Sequence, residues 1–284
     1  MKKTLLFLFA ICFVLGCSSD GDDTSQGESL NIKKFTTTYL IDNNGANYDA
    51  ETTYLFDTFG KITSIKKIEF DRDYEELLAY TYNNSGKLLT IERNSNDNFF
   101  YEMVYEYSDD NTIETINYIN NDGEMLHFLN FEYQNSEVVI NEPLINTVLK
   151  YNQQNKLIEK ESIAEGHTSI IFFSNINNNI TNINFSNDQN SYFEDVFTYN
   201  EEINPLYPIY KEHFFSLPRS HNNLLVFKDF FSQKNYVSYS RISDSGEVIF
   251  SETRTFEYNE NNLPVSGEVR VDGVLYRELT YEYY

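Results

Sequence analysis

Four histidines and 44 acidic residues are the groups in this 284-residue chain that could do chemistry. His213 and His221 are eight apart, with Glu212 beside the first and Asp229 further on. Imidazole and carboxylate together suit a divalent metal, but at this spacing the chain would have to fold back on itself to bring them to one ion. His127 stands among aromatic residues and reads as a packed histidine rather than a base. His167 follows Glu165-Gly166 and reads as a solvated turn residue. Asp71-Arg72-Asp73-Tyr74-Glu75-Glu76 and Asp109-Asp110 place carboxylates close together, as calcium ligation or acid–base hydrolysis of a glycosidic bond requires. Neither run has the full Asp-x-Asn-x-Asn-Gly spacing with a distal Glu, so calcium has no complete loop here. The chain has no Gly-x-Ser-x-Gly elbow, phosphate-cradling glycine loop or His-Glu-x-x-His helix. No catalytic residue, metal ligand or cofactor-binding residue is assigned on this reading, and no enzyme activity is expected.

The cysteines narrow the chemistry further. Cys12 lies inside an apolar run, Thr4–Val14, behind Lys2-Lys3, and Cys17 closes Val14-Leu15-Gly16-Cys17. The run is too short to span a bilayer comfortably. A charged start, an apolar stretch and a small residue before a cysteine resemble the signal peptide and lipobox of bacterial lipoproteins. The resemblance implies cleavage after residue 16 and lipid attachment on Cys17. It leaves the mature domain without a thiol, a disulfide or a zinc–thiolate site. Residues 17–30 are polar and unable to bury themselves, which makes them a flexible tether. Their acidic cluster of Asp20, Asp22 and Asp23 resembles the export signal of Bacteroidota-type surface lipoproteins, implying an outer-membrane anchor and a domain facing outward; a periplasm-facing lipoprotein is the alternative.

Residues 17–284 carry 19 basic against 44 acidic side chains, a net charge of about −25. Such a surface repels nucleic-acid phosphates and anionic headgroups alike. Nucleic acid is excluded as a partner, and membrane attachment must come through the lipid on Cys17. Tyr and Phe number 23 each, while Trp is absent, which weakens a sugar-binding platform.

What positions these residues is a repeated hairpin. Tyr80-Thr-Tyr82 puts two rings on one strand face, Asn83-Asn84-Ser85-Gly86 supplies a reversal, and Lys87-Leu88-Leu89-Thr90-Ile91 resumes an extended pattern. Related units begin at Tyr54, Tyr105, Phe131, Tyr151, Phe173, Phe197, Phe256 and Tyr281. Phe56, Tyr82, Tyr107 and Tyr133 are 26, 25 and 26 residues apart, and Tyr258 and Tyr283 another 25. Regularity of this kind marks a repeat architecture. Strand faces alternate: Tyr101, Met103, Tyr105 and Tyr107 oppose Phe100, Glu102, Val104 and Glu106, and Met125, His127, Leu129, Phe131 and Tyr133 share a face. The rhythm breaks over residues 200–236, which hold Pro205, Pro208 and Pro218; this segment reads as a plug or cover.

The fold expected is all-β, an antiparallel meander of hairpins curled into a large barrel or shell. A single domain occupies residues 31–284, with an irregular insertion at about 200–236. The paired aromatics, the Asn/Asp-rich turns and the Gly-Lys-Leu restart, with Asn204-Pro205-Leu206 and Asn262-Leu263-Pro264, resemble the YD repeats of RHS-type proteins. They resemble more closely a group of Bacteroidota surface lipoproteins of unknown function with a porin-like domain. That resemblance implies 16 to 18 strands and transfers no catalytic residue. The function expected is a surface-anchored binding or structural scaffold for an extracellular protein or polymer. The alternative is an exported glycan hydrolase that draws carboxylates from adjacent hairpins.

Overall fold

A computed structural model of the chain describes residues 31–41, 47–97, 100–154, 156–188, 192–208, 229–230 and 232–284. The lipoprotein features, residues 1–16 with Cys17, Asp20, Asp22 and Asp23, lie outside the described residues, as do Glu212, His213 and His221.

Alternation of rings and polar residues produces strands almost throughout. They are β1 (Ile32–Ile41), β2 (Asn47–Phe56), β3 (Ile62–Glu69), β4 (Tyr74–Tyr82), β5 (Leu88–Ser95), β6 (Tyr101–Tyr107), β7 (Ile113–Ile119), β8 (Met125–Gln134) and β9 (Glu137–Asn141). There follow β10 (Ile145–Tyr151), β11 (Leu157–Ala164), β12 (His167–Ile176), β13 (Asn179–Asn187), β14 (Tyr192–Ile203), β15 (Lys234–Ser243), β16 (Val248–Tyr258), β17 (Pro264–Val271) and β18 (Val274–Tyr283). Each strand pairs antiparallel with its neighbours in sequence, and β1 pairs with β18 through Phe35↔Tyr281 and Thr37↔Leu279. The 18-stranded sheet therefore closes on itself as a barrel without a free edge.

Turns that follow even-numbered strands fall on one rim, here called the motif rim, and the first and last strands meet there, where Tyr284 N–H donates to Asn31 O. Four of its turns share one device. Asp57 Oδ1 accepts from the N–H groups of Phe59 and Lys61; Asn83, Asn152 and Asn259 accept in the same way from residues two and four further on. The side chain mimics the backbone of a turn, which is why Asn or Asp opens each one. The fourth position has φ of 79° at Gly60 and 82° at Gly86, a conformation that favours glycine.

The repeat's other fixed residues join neighbouring strands on this rim. Tyr82 donates its hydroxyl to Ile62 O, Tyr107 to Leu88 O and Tyr283 to Pro264 O, all at 2.8 Å, and Tyr199 to Ile180 O at 2.5 Å. Lys61 donates to Gly86 O at 2.6 Å while lying 5.2 Å from the Tyr82 ring centre, and Lys87 sits 4.7 Å from the Tyr107 ring. The second aromatic and the Gly-Lys pair are thus the ties between successive hairpins.

Inward-facing rings and aliphatics, among them Phe35, Ile65, Ile91, Met103, Tyr105 and Leu279, form one buried cluster. Burying this apolar surface is the main stabilising term. Met125, expected on the packed face of β8, is instead 59% exposed, because a bulge between Tyr118 and Ile119 shifts its register. The irregular segment is also shorter than its sequence suggests. Strand β14 continues to Ile203 and β15 begins at Lys234, so the described edges of the break are residues 204 and 233.

Candidate functional site

The carboxylate runs that stood out in sequence are not brought together. In Asp71–Glu76 the alternation of β4 sends Glu75 outward to Lys66 at 2.9 Å and Glu76 inward to Arg93. Asp71 accepts from the Asp49 N–H, and Asp73 has a left-handed backbone. Asp110 bonds Ser108 and Thr112 within its own turn, and those hydrogen bonds hold its carboxyl below the usual range. His127 Nε2 lies 3.2 Å from Glu142 Oε2, with its ring edge-on to Tyr118. His167, exposed at the start of β12 rather than in the turn before it, contacts Asp188 at 3.4 Å. Among the described residues no three His, Cys, Asp or Glu side chains gather as a metal site would require.

What the interior does hold is a set of carboxylate–arginine pairs. Strands β4 and β5 place Glu76 against Arg93, whose Nε and Nη2 reach Oε2 at 2.7 and 2.6 Å; Tyr74 donates to the same oxygen at 2.8 Å. Through that bond and burial the Tyr74 phenol is pushed up to about 12, burial being the larger cause. Strands β14 and β15 place Asp195, 1% exposed, in a two-pronged bond with Arg241 at 2.8 and 2.9 Å, and Tyr239 adds a third donor at 3.1 Å. The Arg241 guanidinium lies 3.9 Å from the Phe193 ring centre.

The largest cluster spans β15 to β18. Glu252 accepts from Arg254 Nε and from the Tyr236 hydroxyl, each at 2.8 Å. Asp229, which belongs to no strand, meets Arg277 Nη1 at 3.0 Å and Arg254 Nη1 more closely still. Its neighbour Phe230, 1% exposed, packs 5.5 Å from Tyr54 and 6.3 Å from Phe35 between ring centres. Asn204 holds the same turn by donating to Asp229 O at 2.7 Å and to Ser232 O at 3.0 Å. Burial pushes the Arg254 guanidinium down to about 10. Burial works against Arg277 as well, but Asp229, with Tyr39 and Glu252, more than offsets it and holds that group above its ordinary value. Both remain charged at neutral pH.

These arginines carried little signal in the sequence. Glu252-x-Arg254 places two charges on one strand face, yet nothing local says that the face is inward. Arg277 shares its face with Leu279 and Tyr281, the one visible hint of a buried charge.

No protein-family model matches the chain, and no curated protein matches it. Among solved structures it is similar to a porin-like protein from Bacteroides uniformis ATCC 8492, at 15% identity over 89% of this chain and 96% of that one, with a TM-score of 0.48. A porin-like protein from Bacteroides vulgatus ATCC 8482 shows 9% identity over 90% and 99% of the two chains, with a TM-score of 0.31. The TcdB2-TccC3-Cdc42 structure shows 13% identity, covers 88% of this chain and 15% of that one, and has a TM-score of 0.30.

Chemically, paired and hydrogen-bonded carboxylates of this kind are acceptors already in use. Their geometry fixes the barrel wall and its interior, and it leaves Glu76, Asp195 and Glu252 each facing a guanidinium.

Proposed function

We propose that the protein is a non-enzymatic scaffold, anchored by lipid on Cys17 and displayed on the cell surface through the acidic tether, whose barrel presents its outer wall and rims to an extracellular protein or polymer. The observation that carries this reading is the polarity of the outer wall over β16 to β18, which interrupts any continuous apolar band. Outward positions of β16 to β18 are Thr253, Thr255, Glu268, Glu278 and Thr280, all exposed. A barrel that spans a bilayer needs an apolar outer band about 25 Å tall. Charged and hydroxylated side chains in mid-strand suit a barrel standing in water, so attachment falls to the lipid. The locked interior carboxylates support the non-enzymatic part, since a general acid or base must be free to exchange its proton.

Protease shaving of intact cells tests it. The native protein should be cut on whole cells, a variant with Asp20, Asp22 and Asp23 changed to Asn should be protected until lysis, and Cys17→Ala should leave the membrane fraction. A native domain cut only after lysis would overturn surface display. A Cys17→Ala protein still in the membrane would overturn the lipid anchor.

A further inference from the structure

Asp229 and Phe230 differ in origin from everything they touch. The walls around them are strand residues, whereas these two side chains come from the connection between β14 and β15 and reach into the interior. Arg254, Arg277 and Tyr236 surround the carboxylate, with Tyr236 Oη at 3.5 Å from Oδ1, and Phe35 and Tyr54 flank the ring. Two donors of this surround, Arg254 Nη2 and Arg277 Nε, are buried with no hydrogen-bond partner among the described residues. Among the described residues, and apart from Asp229, two guanidiniums of the cluster face the carboxylate of Glu252, an excess of positive charge inside the barrel.

We infer that the barrel interior contains a receptor for an acidic residue followed by an aromatic one, and that the chain keeps it filled with its own Asp229–Phe230. The recognition chemistry is a carboxylate held by two arginines, beside a ring held edge-on and tilted by two others. Supplied from the same chain, the pair acts at the high effective concentration of a tethered ligand, so the native receptor is closed to free peptide. A peptide presenting the same two side chains is the class of ligand that fits once the cis pair is removed.

The experiment uses the full chain with Asp229→Gly and Phe230→Gly together, which keeps the backbone oxygen that Asn204 holds. N-acetyl-Asp-Phe amide is titrated calorimetrically, with the Asn-Phe and Asp-Ala dipeptides as controls. The double variant should bind the Asp-Phe dipeptide saturably and at least ~10-fold more tightly than the Asn-Phe one, the ratio a charge-assisted bond supports, and the native protein should give no heat. A folded double variant that takes no dipeptide, or takes Asp-Phe and Asn-Phe equally, would overturn the inference. If the double variant unfolds on its own, the Asp-Phe dipeptide should restore its circular dichroism while Asn-Phe does not, and failure of that rescue also overturns it. The single variant Asp229→Gly gives an independent reading: formate should raise its Tm saturably, and chloride at the same ionic strength should not. Equal effects of the two anions would reduce the arginine pair to wall packing.

Discussion

The motif rim and the ionic interior solve the same problem, how to join neighbouring strands, in opposite ways. On the rim one local solution is repeated: an Asn or Asp folds the turn, a glycine or asparagine takes positive φ, and a tyrosine ties the preceding strand by a single hydroxyl. In the interior each join is different. Glu76 uses Arg93 and Tyr74, Asp195 uses Arg241 and Tyr239, and Asp229 draws Arg254 and Arg277 from two other strands. The tyrosine ties on the rim are neutral and partly wet, so losing one releases groups that water can satisfy. The interior ties are charged and dry, so losing one partner strands the other. Repetition gives the barrel its form at low cost per joint, and the individual pairs make particular strands irreplaceable.

Four measurements sharpen that contrast. The largest effect belongs to Asp229→Ala, which leaves two buried guanidiniums facing one carboxylate. A loss of about 3–5 kcal/mol is expected from the urea midpoint, as for a broken buried pair. Raising the pH comes next. Burial lifts the phenol pKa values of Tyr54, Tyr80, Tyr105 and Tyr281 well above 10, so the folded state keeps protons that the unfolded chain gives up. The contribution of these phenols should be flat below pH 10 and then fall, by about 1.4 kcal/mol per pH unit for each such phenol. The share of tyrosinate absorbance that comes from these four buried phenols should rise in step with unfolding rather than before it. Smaller is Tyr82→Phe, which removes one rim tie and should cost about 1 kcal/mol by the same urea assay. Smallest is Tyr80→Phe, two residues away on the same face. The Tyr80 hydroxyl is buried without a partner, so its removal should be neutral or slightly stabilising. If Tyr80→Phe proves as costly as Tyr82→Phe, the distinction between tie and filler within the repeat fails.

The same contrast explains what could be read from the amino acids alone. Tyr80-Thr-Tyr82-Asn-Asn-Ser-Gly-Lys announces a strand, a turn and a restart within eight residues, because every contact that defines it is local or one hairpin away. The all-β hairpin meander followed from such units, the 16 to 18 strands came from the family resemblance, and the structure adds closure of an 18-stranded barrel, which the sequence left open. Arg277 and Asp229 are 48 positions apart, and Arg241 and Asp195 are 46. Their partnership depends on register and closure, which no local pattern encodes. Adjacency in sequence is no guide either: Asp71–Glu76 gathers carboxylates along the chain, and a pleated strand sends adjacent side chains to opposite faces. Met125 was misplaced for a related reason, a single bulge that a strict alternation of faces has no means to anticipate.

Closure by β1 and β18 has a consequence for how the molecule is made. Phe35 must find Tyr281 across 246 residues of chain, so the last contact to form is among the longest in sequence. Until the final strand is in place, an incomplete chain carries two open edges, each with unpaired amides ready to accept another strand. Folding of so non-local a sheet is slow, and its hazard is concentrated in that interval. Losing the ten residues of β18 would accordingly turn a closed, self-sufficient ring into a ribbon that recruits its neighbours.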